Sequence, residues 1–304
     1  MPLTSRAHGL LRGCTALVLC TLAVNAVALE WPYVQRPTQT TAITDIPGVV
    51  VEEEIRTVGE LFIPPAINTL PDDSYGALVK MGRNIFVDTQ RYARRFAGNG
   101  LNCSSCHLSE GRKPEAAPLW GAYPLFPTYR GKNEQVNTFE MRVQDCFRFS
   151  LDGLMPPLQS PELRAVVAYA QWLATGAPAG KPLPGRGFVA VRRDIEPSAD
   201  RGKVVYETKC SVCHGIDGQG VKRADGIGYQ FPPVWGPDSY SRAAGMHVVR
   251  TAAAYIKANM PLGRPMSLAD QEAYDVALYL RLHDRPVDPR IGMMSDWMRM
   301  FAGY

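Results

Sequence analysis

Beyond its first 28 residues, this 304-residue chain has no stretch long and apolar enough to enter a membrane. It has no excess of charge either: 33 basic residues stand against 29 acidic ones. Such a balance gives no polycationic surface and argues against nucleic acid as a partner. The alternating strands and helices of a βαβ pattern are missing too, which argues against a thioredoxin-like dithiol protein. What the N-terminus does have is a processing signal. Arg6 and Arg12 precede an apolar run from Thr15 to Val24, and Ala26-Val27-Ala28 forms a cleavage site before Leu29. The run is too short to span a bilayer as a helix, so residues 1–28 are expected to be a signal peptide. Its removal would leave a periplasmic protein with no stable membrane insertion. Arg6 and Arg12 go with it and no acidic residue does, so the formal charge falls from +4 to +2.

Cleavage also takes two of the seven cysteines. Four of the remaining five sit in two C-x-x-C-H motifs, Cys103-Ser104-Ser105-Cys106-His107 and Cys210-Ser211-Val212-Cys213-His214. The fifth, Cys146, has no partner left for a disulfide, and an unpaired thiol in an oxidising compartment requires a reason. Two thiols spaced by two residues reach the two vinyl groups of one haem, and the adjacent histidine becomes the proximal ligand. A zinc site would not require a histidine immediately after each C-x-x-C pair. Two such motifs, 107 residues apart in an exported chain, therefore predict two covalent haems, held by Cys103, Cys106, His107 and by Cys210, Cys213, His214.

The chain repeats itself around these motifs. Gly82-Arg83-Asn84-Ile85-Phe86 precedes the first, and Gly202-Lys203-Val204-Val205-Tyr206 precedes the second with the same pattern of small, apolar and aromatic residues. Downstream, Met155-Pro156 and Ser160-Pro161-Glu162 match Met260-Pro261 and Ser267-Leu268-Ala269-Asp270, where each serine is a natural N-cap. Amphipathic helices follow, with Leu163, Val166, Val167, Ala170 and Leu173 on one face and Ala273, Val276, Ala277 and Leu280 at matching spacing. Helix, haem loop, Met-Pro loop and helix is the order of a class I cytochrome c domain. The expected fold is mainly α: two such helical domains in tandem, each with one covalent haem c. Between them, Gly176 to Gly187 holds four glycines and three prolines. The expected organisation is an N-terminal arm at 29–70, domains at 71–178 and 195–290, a linker at 179–194 and a tail at 291–304.

The halves are unequal. From the glycine to the first haem cysteine is 21 residues in the first domain and 8 in the second, and the extra residues include Arg91, Arg94 and Arg95. Two equal electron-storage haems need no such asymmetry, whereas a reactive haem paired with an exit haem does. In the second domain Met260 follows His214 by 46 residues and is the expected sixth ligand; Met246 and His247, in an apparent helix from Ala243 to Ala258, are the alternatives. In the first domain two candidates stay open. Met155 follows His107 by 48 residues and is favoured by the repeat. Cys146 is favoured by chemistry, because a thiol near ferric iron is acidified and binds as thiolate.

A family resemblance bears on that choice. Gly98-Asn99-Gly100-Leu101-Asn102, Gly111-Arg112-Lys113-Pro114, Met141-Arg142-Val143-Gln144-Asp145-Cys146-Phe147, Phe231-Pro232-Pro233-Val234-Trp235-Gly236-Pro237 and Ala258-Asn259-Met260-Pro261-Leu262-Gly263 resemble the dihaem thiosulfate dehydrogenases, tetrathionate-forming cytochromes c. The resemblance implies a His107/Cys146 haem at the active site and a His214/Met260 haem for electron transfer. It implies catalytic roles for Arg142 and Ser150, and for a further cation in the stretch Arg130 to Lys132. It puts Asn259 where some members carry a lysine that exchanges with the methionine. The implied substrates are two thiosulfates, joined as tetrathionate with two electrons passed to an acceptor c-type cytochrome, and the reaction is open to reversal. The competing readings are a dihaem electron carrier with Met155 on the first haem, and a sulfur-loading partner with a Cys-ligated haem. Two dianions in one pocket need fixed cations, and Arg142 lies one helical turn before Cys146 if that stretch is helical.

Overall fold

The computed structural model describes residues 57–58, 61–131 and 133–291. The signal peptide, most of the arm, the tail beyond Ile291 and Lys132 lie outside the described residues. Six helices set the frame: α1 (Ser74–Val87), α2 (Phe139–Asp145), α3 (Pro161–Leu173), α4 (Ala199–Lys209), α5 (Val249–Asn259) and α6 (Asp270–Arg281). Among the described residues three short antiparallel strand pairs accompany them, one before α1 and two between helices. One of these, Thr128–Arg130 with Gln135–Asn137, pairs Arg130 with Gln135 at the end of its register.

The repeat has a packing cause. α1 crosses α3, and α4 crosses α6. At the first crossing a Cβ on Gly82 would collide with the carbonyl of Ala165, and at the second a Cβ on Gly202 would collide with that of Asp275. Glycine is the only residue that lets the backbones approach so closely. Each crossing is then filled by an aromatic pair, Phe86 with Tyr169 at 5.7 Å and Tyr206 with Tyr279 at 5.6 Å. The apolar faces read from the sequence are buried: Leu163, Val166, Ala170 and Leu173 in one core, Ala273, Val276, Ala277 and Leu280 in the other. Ser160 caps α3 by accepting from the Leu163 N–H at 3.4 Å, with Pro161 in the first turn.

Two expectations are corrected. Ser267 does not cap α6; Leu268 is drawn into the core, the helix starts at Asp270, and Glu272 accepts the Ala269 N–H at 2.9 Å instead. The helix expected from Ala243 starts at Val249, after a 3-10 turn at Gly245–His247. Tertiary packing overrides the helical pattern there, because Tyr240 and Ala244 belong to the core built on α1 and α3 and Met246 packs against both cores. The glycine- and proline-rich segment is no free spacer. Its Gly185 and Gly187 carbonyls accept from the Glu115 and Ala117 N–H groups at 2.7 and 2.9 Å, strapping it to the loop after the first C-x-x-C-H motif.

The inserted arginines serve structure. Arg91 pairs with Asp225 at 3.0 Å and Arg223 with Asp88 at 3.2 Å, joining the two helical regions. Arg94 donates to the carbonyls of Ala97 and Asn99, and Arg95 pairs with Glu162 at 2.7 Å. Both helical regions fall in one compact unit.

Candidate functional site

Cys103, Cys106 and His107 follow α1 on a short helical turn and border a cavity of about 530 Å³. The Nδ1 of His107 lies 2.7 Å from the carbonyl oxygen of Ala117. With Nδ1–H donating there, the ring keeps Nε2 for a metal. Cys146 also borders the cavity. It stands where α2 gives way to a π-helical turn, Cys146–Ser150. Such turns are rare and recur at functional sites. One turn earlier on α2, Arg142 brings its Nη1 to 3.1 Å from the Cys146 Sγ. Arg130 and Ser150 border the same cavity.

The second motif is built alike around a cavity of about 220 Å³. Cys210, Cys213, His214 and Met260 border it, and His214 Nδ1 lies 2.8 Å from the carbonyl of Pro232. Leu101 and Cys106 border both cavities, so the two share a wall.

Residues 199–283 match the cytochrome c family model, a span that includes Cys210, Cys213, His214 and Met260. The thiosulfate dehydrogenase of Stutzerimonas stutzeri (strain A1501) is 52% identical over 235 residues, 76% of this chain and 75% of that one. That of Thiomonas intermedia (strain K12) is 44% identical over 250 residues, 81% and 79% of the two chains. The chain belongs to the thiosulfate dehydrogenase family. Among solved structures, the thiosulfate dehydrogenase TsdBA of Marichromatium purpuratum, in its as-isolated form, matches with a TM-score of 0.74 at 39% identity. The match covers 80% of this chain and 54% of that one, so this chain spans about half the length of the solved protein.

For a member of this family the cofactor is haem c, and the residues present fit it. Each cavity offers two thiols and a histidine whose far nitrogen is anchored to a carbonyl. The buried hydroxyl of Tyr255 has no partner and belongs to a residue bordering the second cavity, an orphan of the kind a haem carboxylate satisfies. Burial holds His214 below its ordinary pKa, against the pull of the Pro232 carbonyl, which keeps the ring neutral as a ligand must be.

The cysteines bordering the first cavity divide electrostatically. Burial pushes the Cys103 thiol up to about 12 and that of Cys106 up to about 11. Burial pushes the Cys146 thiol up as well, but the Arg142 guanidinium and the His107 ring outweigh it and hold the thiol below its ordinary value. Burial, followed by the neighbouring Arg142 charge, lowers the pKa of Arg130, so the two guanidiniums share one electrostatic field beside Cys146.

The alternative ligands fall elsewhere. Met155 is 44% exposed and is not among the residues bordering the first cavity; Arg148 Nη1 approaches its Sδ at 3.9 Å. His247 does not border the second cavity, and burial with Arg285, Arg281 and Arg242 pushes its pKa down to about 4. Met246 does border it, alongside Met260. Asn259 is fully buried and donates to the carbonyls of Tyr255 and Glu115 at 3.0 and 2.9 Å. Sequence reasoning missed the carbonyls of Ala117 and Pro232, since every residue type carries a carbonyl. It also missed Arg186 and Gly187, which border the first cavity from the strap. Their one legible sign is Gly121, where a Cβ would run into Arg186.

Proposed function

We propose that this chain is a periplasmic dihaem thiosulfate dehydrogenase, with residues 71–178 and 195–290 as its two haem domains and 179–194 between them. The observation that carries the reading is Cys146, which borders the same cavity as His107 and has Arg142 Nη1 3.1 Å from its sulfur. Cys103 and Cys106 would hold the first haem by thioethers, and His107 and Cys146 would bind its iron. Cys210, Cys213, His214 and Met260 would hold the second. When bound, the haems supply acceptors for two electrons and a route for them towards an acceptor cytochrome.

The protein's own residues do the sulfur chemistry. Arg142 and Arg130 oppose the mutual repulsion of two dianions, and arginine suits their oxyanion groups. Ser150 offers a hydroxyl to an oxyanion. The Cys146 thiolate bonds to the sulfane sulfur of one thiosulfate, and this bond formation gives up two electrons. A second thiosulfate attacks that sulfur, the bond to Cys146 breaks, and tetrathionate leaves as the thiolate is restored. Driven the other way, the same steps cleave tetrathionate. Among the described residues no helix is long and apolar enough to cross a membrane.

Intact mass of the periplasmic protein should start at Leu29 and include two haem additions that survive acid-acetone extraction. Cys146→Gly should keep both additions and lose turnover by more than about a thousandfold, since glycine cannot carry a sulfane sulfur. Turnover by Cys146→Gly would overturn the reading, as would loss of the first haem's thiolate EPR signal in Met155→Leu.

A further inference from the structure

We infer that the second domain fixes the position of Cys146: Ser241 and Asn99 are positioning residues that clamp the π-helical turn carrying it. The inference rests on the proposed role of Cys146 and adds residues that lie outside both haem motifs.

A π-helical turn leaves its last carbonyls without partners of its own, as any helix end does. Here the Cys146 carbonyl accepts from the Leu151 N–H at 3.0 Å and that of Phe147 from Gly153 at 2.9 Å. The carbonyls of Phe149, Ser150 and Leu151 are taken from outside the turn. Leu151 O accepts from the N–H groups of Gly98 and Asn99, at 2.8 and 3.0 Å. Ser150 O accepts from Asn99 Nδ2 at 3.0 Å. Phe149 O accepts from both the hydroxyl and the N–H of Ser241, at 2.7 and 3.2 Å.

Asn99 joins the two sides. Its Nδ2 also donates to Ser239 O at 3.0 Å, and its Oδ1 accepts from the Leu101 N–H at 3.1 Å. Ser239 and Ser241 are 0% exposed and Asn99 is 1% exposed, so water cannot replace a missing partner. The first domain's own side of the clamp is equally close: a Cβ on Gly98 would collide with the carbonyl of Asp152, and one on Gly153 with that of Phe96. Between the two serines, Tyr240 borders the second cavity. One loop of the second domain thus walls its own cavity and holds the turn that carries the first cavity's cysteine.

Removing a donor should loosen the turn without touching any residue that meets substrate. The test compares Ser241→Ala and Asn99→Asp with Asp238→Asn. Asp238 accepts from Gly100 N–H and pairs with Lys222 at the same interface but makes no bond to the turn. In holoprotein of Ser241→Ala or Asn99→Asp, kcat should fall roughly tenfold with KM for thiosulfate unchanged, the scale of one buried hydrogen bond. The first haem's low-spin EPR signal should broaden or split, the second haem's spectrum should stay as in wild type, and iodoacetamide should alkylate Cys146 faster. Asp238→Asn should lower Tm and leave all five readouts at wild-type values. The clamp is overturned if Ser241→Ala and Asn99→Asp behave as Asp238→Asn does. Wild-type EPR, taken first, tests iron ligation by Cys146 separately; without a thiolate signal there, the alkylation rates still decide the clamp.

Discussion

The two cavities begin from the same parts, two thiols and a carbonyl-anchored histidine, and part company in what surrounds those parts. Among the described residues, the first cavity is bordered by three arginines (Arg130, Arg142 and Arg186) and no acidic residue. The second is bordered by one charged side chain, Lys209, which Glu272 already pairs at 2.6 Å. The first is also the larger, about 530 Å³ against 220 Å³. A cavity with fixed positive charge, spare volume and a depressed thiol suits anions. One enclosed by Val234, Ile256, Val276 and Leu280 beside the Met260 thioether offers an anion only a lysine that is already paired. One helical scaffold thus surrounds the same C-x-x-C-H motif with two different chemistries.

Removing the charge that separates the two cavities should have the largest effect on that contrast. Arg142→Gln keeps the shape of α2 and deletes the guanidinium beside Cys146. In steady-state kinetics kcat/KM should fall by about a hundredfold, the scale of one charge-assisted hydrogen bond in a desolvated site. A drop of less than about threefold would remove Arg142 from the anion site. A smaller effect is expected from the other cavity. Met260→Leu should change only the second haem's spectrum and slow delivery to a protein acceptor by about tenfold, because loss of the thioether lowers that haem's potential. If Met246→Leu produces this change and Met260→Leu does not, the exit ligand is the other methionine bordering the cavity.

Much of this contrast was legible in the sequence because it rests on side chains of restricted chemistry. The C-x-x-C-H motifs give covalent anchors, and the paired Gly82 and Gly202 mark equivalent helix crossings because no other residue fits. The fold followed from these and from the buried faces of α3 and α6. What stayed hidden is carried by backbone and by tertiary packing. The Ala117 and Pro232 carbonyls that orient the histidines have no signature. The clamp on the π-helical turn uses serine and asparagine, ordinary surface residues until buried. The segment from Ala243 reads as helix and is pulled out of it by Met246 packing between two cores. Arg91, Arg94 and Arg95 mark the asymmetry of the two halves in the sequence but not their use, which is in ion pairs and carbonyl contacts, since an exposed guanidinium looks the same in either role.

The smallest expected effect separates the two helix crossings themselves. Gly82 meets the carbonyl of Ala165, and Gly202 meets that of Asp275, so these residues are equivalent and differ by a buried carboxylate. Burial alone would push the Asp275 carboxyl up. Arg201 Nε and Nη2 at 2.7 and 2.8 Å, the Ser198 N–H at 2.8 Å and the Gln271 amide at 2.9 Å outweigh it and hold the group below the usual carboxylate range. A carboxylate depressed on folding adds stability that is fully present above its unfolded pKa of about 3.9 and is lost as the pH falls through the folded value. The α4–α6 crossing should therefore loosen in acid, while the α1–α3 crossing, with alanine at that position, lacks this source of acid sensitivity. Asp275→Asn keeps the shape and removes the charge, and should lower Tm by a few degrees at neutral pH. The gap between variant and wild type should close as the pH drops below about 4, followed through the second haem's spectrum. A gap that is the same at pH 3 and pH 7, or acid loosening reported first by the first haem, would break the comparison.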